Sequence, residues 1–585
     1  MVKLAILVSV LFALAGLVAC GSSDSVAPAD APVKAPATTA VVAAPQPTAS
    51  VADITPADAV LNAEIVIVTD TLPERLDPTR LKANSDKRNH VFTFDALRNL
   101  GPDGHYQSLA TGFKVSPDGL GVDWTLREGV NYHNGDPFTA RDVEFTYKTV
   151  AHGFGGEKSI HTYASAHRTI ESFEVTGDHS IRFNLSKPFP DLFSSMRAGT
   201  LEIVGKDYYE AGGVEGFSKH PIGTGPFKFV EFKLGDRYIL EANEDYWGEG
   251  PFVKRITILD IPEPTTRFLM LKSGDADIVL GLAGDQLTDV VKDPDLELAR
   301  SKQAFIGAAL FFPGTKSPII AGRVEGGDYG FTDDKFLPPA SAARTAQVKF
   351  YENPKVRLAF GMAIDRAAIA EELAPACEVA HSYIPPAAFG YDSSDDAHIN
   401  FKYDPEGAKK LLLEAGIPLD GTFEETFTGS PRSSYMPAVQ MWDAMIGYWN
   451  AIGLNMTRRQ LDAGQTTGEN RSNTHPGIYN FSGTNPVDGG RLTWTRFSRN
   501  STWSDAIQRD DYDALFTAIK TEGDPDTRST LIGDFMRAEA VNMESIPLWW
   551  CDQTFGYNKK TIASMSPTPG LGDDFNAELI KPVTK

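Results

Sequence analysis

Alternating and β-branched apolar positions predict strands at several points along the 585-residue chain. Glu64–Thr69 is a short β-branched run, which is typical of a buried strand. Phe227–Phe232 alternates apolar and polar residues, and after Gly235-Asp236 the apolar pattern resumes at Tyr238–Leu240. Because a glycine-containing turn between two such segments is typical of a hairpin, we predict that the two segments pair antiparallel.

Three segments carry apolar residues at helical spacing together with helix-end signals. In Phe138–Tyr147, Thr139 stands three residues before Asp142, as in an N-terminal capping motif. Asp404–Gly416 begins with a capping Asp, has a proline in its first turn and ends at glycine. Met436–Ile452 places Met and Trp residues on one face, which we interpret as core packing rather than as a ligand platform. No repeat of constant period joins these elements, so the pattern favours several α/β lobes over a solenoid or a propeller.

The N-terminal apolar run, Leu4–Ala19, is too short to span a bilayer and ends in small residues before Cys20. This junction resembles the signal of bacterial lipoproteins, so we expect residues 1–19 to be a signal peptide and Cys20 to be lipidated. An ordinary cleaved signal with a cysteine there by chance is the alternative. Residues 20–56 are rich in Ala, Pro, Thr and Ser, which predicts a flexible linker. The rest of the chain is then expected outside the cytoplasm, in the periplasm or at the cell surface, and anchored to a membrane by lipid.

Composition narrows the choice of partners. A net charge of −22 argues against a nucleic-acid partner, because a phosphate backbone requires a basic face. Cys377 and Cys551 are the only cysteines besides Cys20. A disulfide between them and two separately buried thiols are both compatible with the sequence.

The sequence contains no familiar catalytic signature: neither Gly-x-Ser-x-Gly, His-Glu-x-x-His, a Walker loop nor Cys-x-x-Cys occurs. Gly223-Thr224-Gly225 is followed by Pro226, which lacks the backbone donor that a phosphate cradle uses, so we interpret these glycines as structural. His152, His161 and His167 are not spaced to place two metal ligands on one helical face. We therefore expect a protein that is not an enzyme and that holds neither a cofactor nor a metal.

Six segments follow one another in the order of a known family pattern: Trp124–Val143, Pro221–Phe227, Asn243–Gly248, Ser273–Ile278, Val356–Arg366 and Tyr403–Gly416. Together they resemble the bacterial extracellular solute-binding proteins of family 5, which include dipeptide- and oligopeptide-binding proteins of ABC importers. The resemblance implies an α/β, two-lobe fold like that of periplasmic binding proteins (class II, cluster C). Three interwoven domains and a ligand cleft between the lobes belong to this expectation, with two strands that cross between the lobes as the hinge.

The same resemblance implies domain boundaries and partners. Domain I is expected to combine residues 57–95, 222–300 and 545–585, domain II to span 96–221, and domain III to span 301–544. The implied partners are a peptide or another small-molecule ligand and the permease subunits of an ABC transporter. The protein is expected to be a monomer.

Five residues are candidates for ligand contact: Arg432, Tyr435, Phe481, Asp488 and Trp494. Dipeptide binders that resemble this chain carry an arginine at the place of Arg432, where a guanidinium engages the peptide carboxylate; a solvated loop arginine is the alternative. They also carry an Asp that pairs with the ligand ammonium, but here no carboxylate stands at the matching place near Thr484. Either Asp488 substitutes for it, or the ligand is not a simple free-amine peptide. The indole of Trp494 either stacks on the ligand or packs in the interior.

The sequence thus favours a lipid-anchored binding protein that captures a peptide or a similar polar solute by lobe closure and delivers it to a permease. A receptor of the same fold for an oligosaccharide, an opine or a nickel chelate is the second hypothesis. A surface sensor or a degenerate hydrolase is a third, from a different class. Fold similarity alone does not decide among ligands.

Overall fold

The computed structural model describes residues 62–81, 90–98, 108–161, 164–188, 201–282, 284–312, 349–429, 438–460, 477–484, 488–497, 509–522, 524–567 and 576–583. All of them fall in the unit Pro56–Lys585. The other unit, Met1–Thr55, contains the predicted signal peptide, Cys20 and nearly all of the predicted linker, and lies outside the described residues. Among the helices of the described part, none is long and apolar enough to cross a membrane.

The described strands and helices alternate irregularly along the chain. The strands are β1 (Glu64–Thr69), β2 (Ala110–Val115), β3 (Gly121–Leu126), β4 (Ile170–Gly177), β5 (Ser180–Leu185), β6 (Phe227–Lys233), β7 (Arg237–Ala242), β8 (Arg255–Asp260), β9 (Ile278–Leu280), β10 (Leu296–Phe311), β11 (Cys377–Val379), β12 (Glu424–Gly429), β13 (Asn455–Gln460), β14 (Ile478–Thr484), β15 (Ser545–Asn558), β16 (Ile562–Ser564) and β17 (Lys581–Pro582). The α-helices are α1 (Ala140–His152), α2 (Ala164–His167), α3 (Lys206–Lys219), α4 (Pro264–Ser273), α5 (Gly284–Lys292), α6 (Pro354–Met362), α7 (Arg366–Leu373), α8 (Pro405–Glu414), α9 (Ala438–Ala451), α10 (Gly489–Phe497), α11 (Asp510–Thr521) and α12 (Pro525–Asn542). Short 3₁₀ helices span Pro78–Arg80, Asp395–Ala397 and Ala577–Leu579.

One large mixed sheet connects the two lobes. Its strand order is β13-β12-β14-β10-β15-β9-β1-β8-β7-β6, with β11 also paired to β15. β10 and β15, the two longest described strands, run antiparallel through its centre. Toward one end they are flanked by β14 and β11, and toward the other β15 pairs with β9. The fold is therefore α/β with two lobes, each built on one end of this strand pair.

The register of β10 against β15 shifts where the two lobes meet. Ser301 pairs with Gln553, and the next pair is Phe305 with Cys551. We call this point, between these two pairs, the waist. On one side of the waist the strand pair is flanked by β14 and β11, and on the other side by β9, so the waist is where the pair passes from one lobe to the other.

A second sheet has four antiparallel strands in the order β2-β3-β5-β4. One face of it packs against α1 around the buried rings of Trp124, Tyr147 and Phe183. The sheet lies within the stretch 96–221 predicted for domain II. The exact boundaries of the three domains stay a prediction.

The strand predictions made from the apolar pattern are confirmed. β1 spans Glu64–Thr69, and the hairpin pairs β6 with β7 in antiparallel register. Gly235, in the turn between them, has a φ of +71°, a conformation that glycine adopts without steric cost. The local pattern was sufficient for the hairpin because β6 and β7 are neighbours in sequence. β1 instead pairs with the distant strands β8 and β9, and its β-branched run alone indicated a strand.

The predicted helices are also confirmed, with shifted bounds. α1 starts after Thr139, whose backbone N–H and hydroxyl donate to Asp142 Oδ2 at 2.8 and 3.1 Å. α8 starts after Asp404, whose Oδ1 accepts from Gly407 N at 2.8 Å. α9 buries Met441, Trp442, Met445 and Trp449 in the core of its lobe, as the helical spacing indicated. Residues 436–437 of the predicted helix lie outside the described part.

Cys377 and Cys551 form a disulfide. They are directly opposite each other in the β11–β15 pair, with Cα atoms 4.0 Å apart. The sequence left this pairing open, because 174 positions separate the two cysteines and only the strand register brings them together. The bond fastens β11 to β15 beside the waist.

Candidate functional site

The parallel strands of the first lobe end toward the waist. β9 is antiparallel to β15, with Leu280 opposite Phe555 and Ile278 opposite Tyr557, so its carboxyl end is the end nearer the waist. β1 is parallel to both β9 and β8, and these strands therefore end at the same edge.

The strands of the second lobe also end there. β14 is antiparallel to β10, with Thr484 opposite Phe305 at the waist and Tyr479 opposite Phe311 further away. β12 is parallel to β14 and ends at Gly429 on the same side. In open α/β sheets, ligands bind outside the carboxyl ends of the strands. Two sets of carboxyl ends that face the waist therefore define a candidate ligand site between the lobes.

Of the five residues predicted for ligand contact, the structure describes two by their backbone only and one together with its side chain. Arg432 and Tyr435 follow β12 in sequence and lie outside the described residues. Phe481 belongs to β14, where its backbone pairs with Ala309, and Trp494 belongs to α10. Their side chains are outside the described part. Only Asp488, four residues after β14, can be placed with its side chain.

Asp488 makes an ion pair within the protein. Its Oδ2 and Oδ1 accept hydrogen bonds from Nη1 and Nη2 of Arg528, both at 2.9 Å. Oδ1 also accepts from the backbone N–H of Arg491 at 3.1 Å, which caps the start of α10. The side chains of Asp488 and Arg528 are only 13% and 5% exposed. The charge of Asp488 is thus balanced by a guanidinium of the chain itself, and a contact of Asp488 with a ligand ammonium stays a prediction.

Phe389 completes this group. Its backbone forms a parallel bridge with Asp488, and its carbonyl accepts from Gly489 N at 2.9 Å. Its ring centroid lies 5.5 Å from Cζ of Arg528. Neither Phe389 nor Arg528 was predicted from the sequence. Neither stands in a motif, and each is far from Asp488 along the chain.

On the first lobe, a buried arginine holds the strand ends in place. Arg267 is 2% exposed and donates to the carbonyl oxygens of Ile261 at 2.7 Å and Gly281 at 2.5 Å. These two residues directly follow β8 and β9. Asp260, the last residue of β8, accepts from the backbone N–H of Leu72 at 3.3 Å. The first lobe therefore presents a rigid edge to the waist, because its three parallel strand ends are bonded to one another.

Two of the signature segments meet at a buried carboxylate, away from the candidate site. Asp95 accepts hydrogen bonds from Thr224 Oγ1 at 2.9 Å, Trp247 Nε1 at 2.9 Å and Tyr246 Oη at 3.3 Å. Burial raises the pKa of Asp95, and the three donors oppose that shift. Tyr246 and Trp247 of one signature segment and Thr224 of the glycine turn are thus joined to the segment that carries Asp95.

The glycine turn is structural, as predicted. A Cβ at Gly223 or Gly225 would clash with the backbone of Thr93. His133, from a third signature segment, accepts from Gly223 N through Nδ1 at 3.3 Å, and its Nε2 lies 3.0 Å from the carbonyl oxygen of Gly225. Burial lowers the pKa of His133 to about 4, so the ring is neutral at pH 7 and Nε2 donates.

His161 and His167 are buried with ring centroids 6.3 Å apart. Burial lowers the pKa of His167 to about 3. Among the described residues, no group of three or more His, Cys, Asp or Glu side chains is arranged to hold a metal ion.

A two-lobed α/β body with strand ends facing a waist defines the class of periplasmic binding proteins, and the comparisons with known proteins agree with this. The family model described as bacterial extracellular solute-binding proteins, family 5 (middle), matches residues 106–531. The chain belongs to this family.

Individual relatives are distant but cover much of the chain. Heme-binding protein A of Haemophilus influenzae is 28% identical over 407 residues, which cover 65% of this chain and 66% of that protein. Di/tripeptide-binding protein 2 of Pseudomonas aeruginosa is 24% identical over 557 residues, which cover 88% of this chain and 94% of that protein. The solved structure of the periplasmic binding protein DppA from Helicobacter pylori, in complex with the peptide STSA, is similar with a TM-score of 0.69 at 21% identity. That match covers 90% of this chain and 99% of DppA.

Proposed function

We propose that this protein is the lipid-anchored extracytoplasmic binding subunit of an ABC importer, and that it captures a peptide between its lobes and delivers it to the permease. The observation that carries the proposal is the waist: two sets of parallel strand ends face one another across the β10–β15 pair. A connection of this kind permits hinge closure around a ligand. Closure removes the ligand from water. It also produces a closed conformation that a permease can distinguish from the open one.

Two comparisons favour a peptide as the ligand. A di/tripeptide-binding relative and a peptide-bound structure each cover about nine tenths of this chain and nearly all of their own length. The match to the heme-binding relative covers about two thirds of each chain.

The decisive experiment is titration calorimetry of the purified protein against di-, tri- and tetrapeptides, with heme, an opine, a maltooligosaccharide and nickel-histidine as competitors of other classes. We expect saturable binding of peptides at one site per chain, together with a smaller radius of gyration in X-ray scattering. The bound peptide should be recovered unchanged, because the proposal includes no reaction. Binding of one of the other classes in place of every peptide would overturn the proposed ligand, and steady turnover of the peptide would overturn the proposed class.

The lipid anchor is tested separately. We expect mass spectrometry of the mature protein to find an acylated Cys20 at its N-terminus, and Cys20→Ala to release the protein from the membrane fraction. As a control, Cys377→Ala should leave the protein in that fraction, because it breaks a disulfide of the folded body and leaves Cys20 in place. Recovery of a soluble, unmodified mature protein from wild-type cells would contradict the anchor without affecting the proposed ligand.

A further inference from the structure

We propose that Phe389 is a ligand contact that determines specificity: its ring provides a fixed aromatic surface for an apolar side chain of the bound peptide. This inference rests on the proposed function and refines it. It assigns a role to a residue that lies in no signature segment.

The position of Phe389 follows from the register of the strands. Thr484 ends β14 opposite Phe305 at the waist. Asp488 is four residues further along, and four residues span at most about 14 Å. Phe389 pairs through its backbone with Asp488. The backbone of Phe389 therefore lies near the edge where the strands of the second lobe end.

Close packing holds Phe389 in place. A Cβ on Gly489 would come within 2.6 Å of the carbonyl oxygen of Phe389, and a Cβ on Gly490 would clash with the guanidinium of Arg528. Gly390, the next residue in the chain, has a φ of +80° and packs against Ile532. These glycines let the backbone of the 389–390 turn approach α10 and α12 directly. The ring is supported from one side by Arg528, which is itself held by Asp488.

Despite this support, the Phe389 side chain remains 37% exposed. Single exposed apolar residues are common on protein surfaces and need no special explanation. Phe389 differs from such residues in two ways. Its backbone is bonded to residues 488–489, and its ring contacts the guanidinium of the Asp488–Arg528 ion pair. A preplaced ring loses little conformational entropy when a ligand covers it, so most of the apolar area that it buries contributes to affinity.

The arrangement also indicates which part of a peptide Phe389 contacts. The charge of Arg528 is already balanced by Asp488, so the group offers an apolar face rather than a free charge. An apolar or aromatic side chain suits that face, whereas a glycine residue gains little from it.

The test compares Phe389→Ala with Phe113→Ala in the full-length protein. Phe113 is a matched control because its ring is 45% exposed and lies on the four-stranded sheet, where it packs against Trp124 with ring centroids 5.1 Å apart. Two series of peptides are titrated, one with Leu or Phe side chains and one with Gly. We expect Phe389→Ala to weaken the first series about tenfold and the second by less than about twofold, because the change removes the exposed third of Phe389 that a ligand side chain would cover. Phe113→Ala should leave both series unchanged.

A second variant keeps the measurement informative if Phe389→Ala does not fold. Phe389→Leu retains apolar bulk against Arg528 but removes the planar face, so it should weaken Phe-containing peptides more than Leu-containing ones. Equal loss for all peptides, or no loss, would overturn the role of Phe389 while leaving the proposed function intact. If the wild-type protein binds none of the peptides, the proposed function fails instead.

Discussion

Removing the carboxylate of Asp488 tests whether this residue serves the fold or the ligand. The change is Asp488→Ala, which leaves the guanidinium of Arg528 without its bidentate partner. Arg528 keeps its hydrogen bond from Nε to the carbonyl oxygen of Ile519, at 3.0 Å, but loses both charge-assisted hydrogen bonds to the carboxylate. Because its side chain is 5% exposed, water cannot replace the lost carboxylate without local opening.

The expected size of the effect follows from burial. Breaking a buried ion pair by removing one partner costs about 3–5 kcal/mol, and the 13% exposure of Asp488 places this pair toward the lower end, at about 3 kcal/mol. A more exposed Asp–Arg pair provides a control, although there a single guanidinium nitrogen contacts both carboxylate oxygens. Asp123 accepts two hydrogen bonds from Nη1 of Arg182, at 2.8 and 2.9 Å, but the two side chains are 49% and 33% exposed. Asp123→Ala should therefore cost less than about 1 kcal/mol.

The assay is urea unfolding of both variants at pH 7, with a double-mutant cycle for the buried pair. Asp488→Leu combined with Arg528→Leu should recover most of the loss, because no buried charge then remains unpaired. Peptide titrations on the same samples separate the two roles. If Asp488→Ala destabilises the protein no more than Asp123→Ala and yet abolishes binding, Asp488 is the partner of the ligand rather than of Arg528.

Three further predictions follow from buried groups. Burial raises the pKa of Glu539 from 4.5 to about 8, so the folded state holds a proton that the unfolded state releases, and this stabilisation is lost as pH rises through that window. Urea unfolding should show that the loss of stability between pH 6 and pH 9 is smaller in Glu539→Gln by about 2–3 kcal/mol, and an equal loss in both proteins would contradict this. Asp95→Ala leaves three donors without their acceptor and should lower the free energy of unfolding by about 3–5 kcal/mol; a change below about 1 kcal/mol would show that other groups satisfy those donors. Gly223→Ala forces the backbone away from Thr93 and should lower the melting temperature, whereas Gly216→Ala, at a site with open space for a Cβ, should not.

Much of the local structure could be predicted because its causes are local. The start of α1 depends on Thr139 and Asp142, three residues apart, and the β6–β7 hairpin depends on the turn at Gly235. The buried face of α9 follows from helical spacing alone. Such signals act between residues that are close in sequence. An apolar pattern and a capping residue are therefore enough to predict a helix or a hairpin.

The candidate site could be predicted only in part. The expectation that Asp488 contacts the ligand came from the resemblance to peptide-binding proteins and stays a prediction. The strand register places the end of β14, four residues before Asp488, at the waist. Its pairing with Arg528 and the support of Phe389 depend on how α10, α12 and the 389–390 turn pack together. No local pattern in the chain marks residues that meet only in this way.

The sequence by itself determined several strands and helices, the family pattern and the number of cysteines. Each of these depends only on residue types and on short spacings between them. Only the tertiary structure decided that Cys377 bonds to Cys551, that two sets of strand ends face one waist, and that Asp488 is neutralised by Arg528. The physical reason is that these facts depend on strand register and helix packing between distant segments. Register is set by the burial of whole faces of a sheet, which no single stretch of sequence controls.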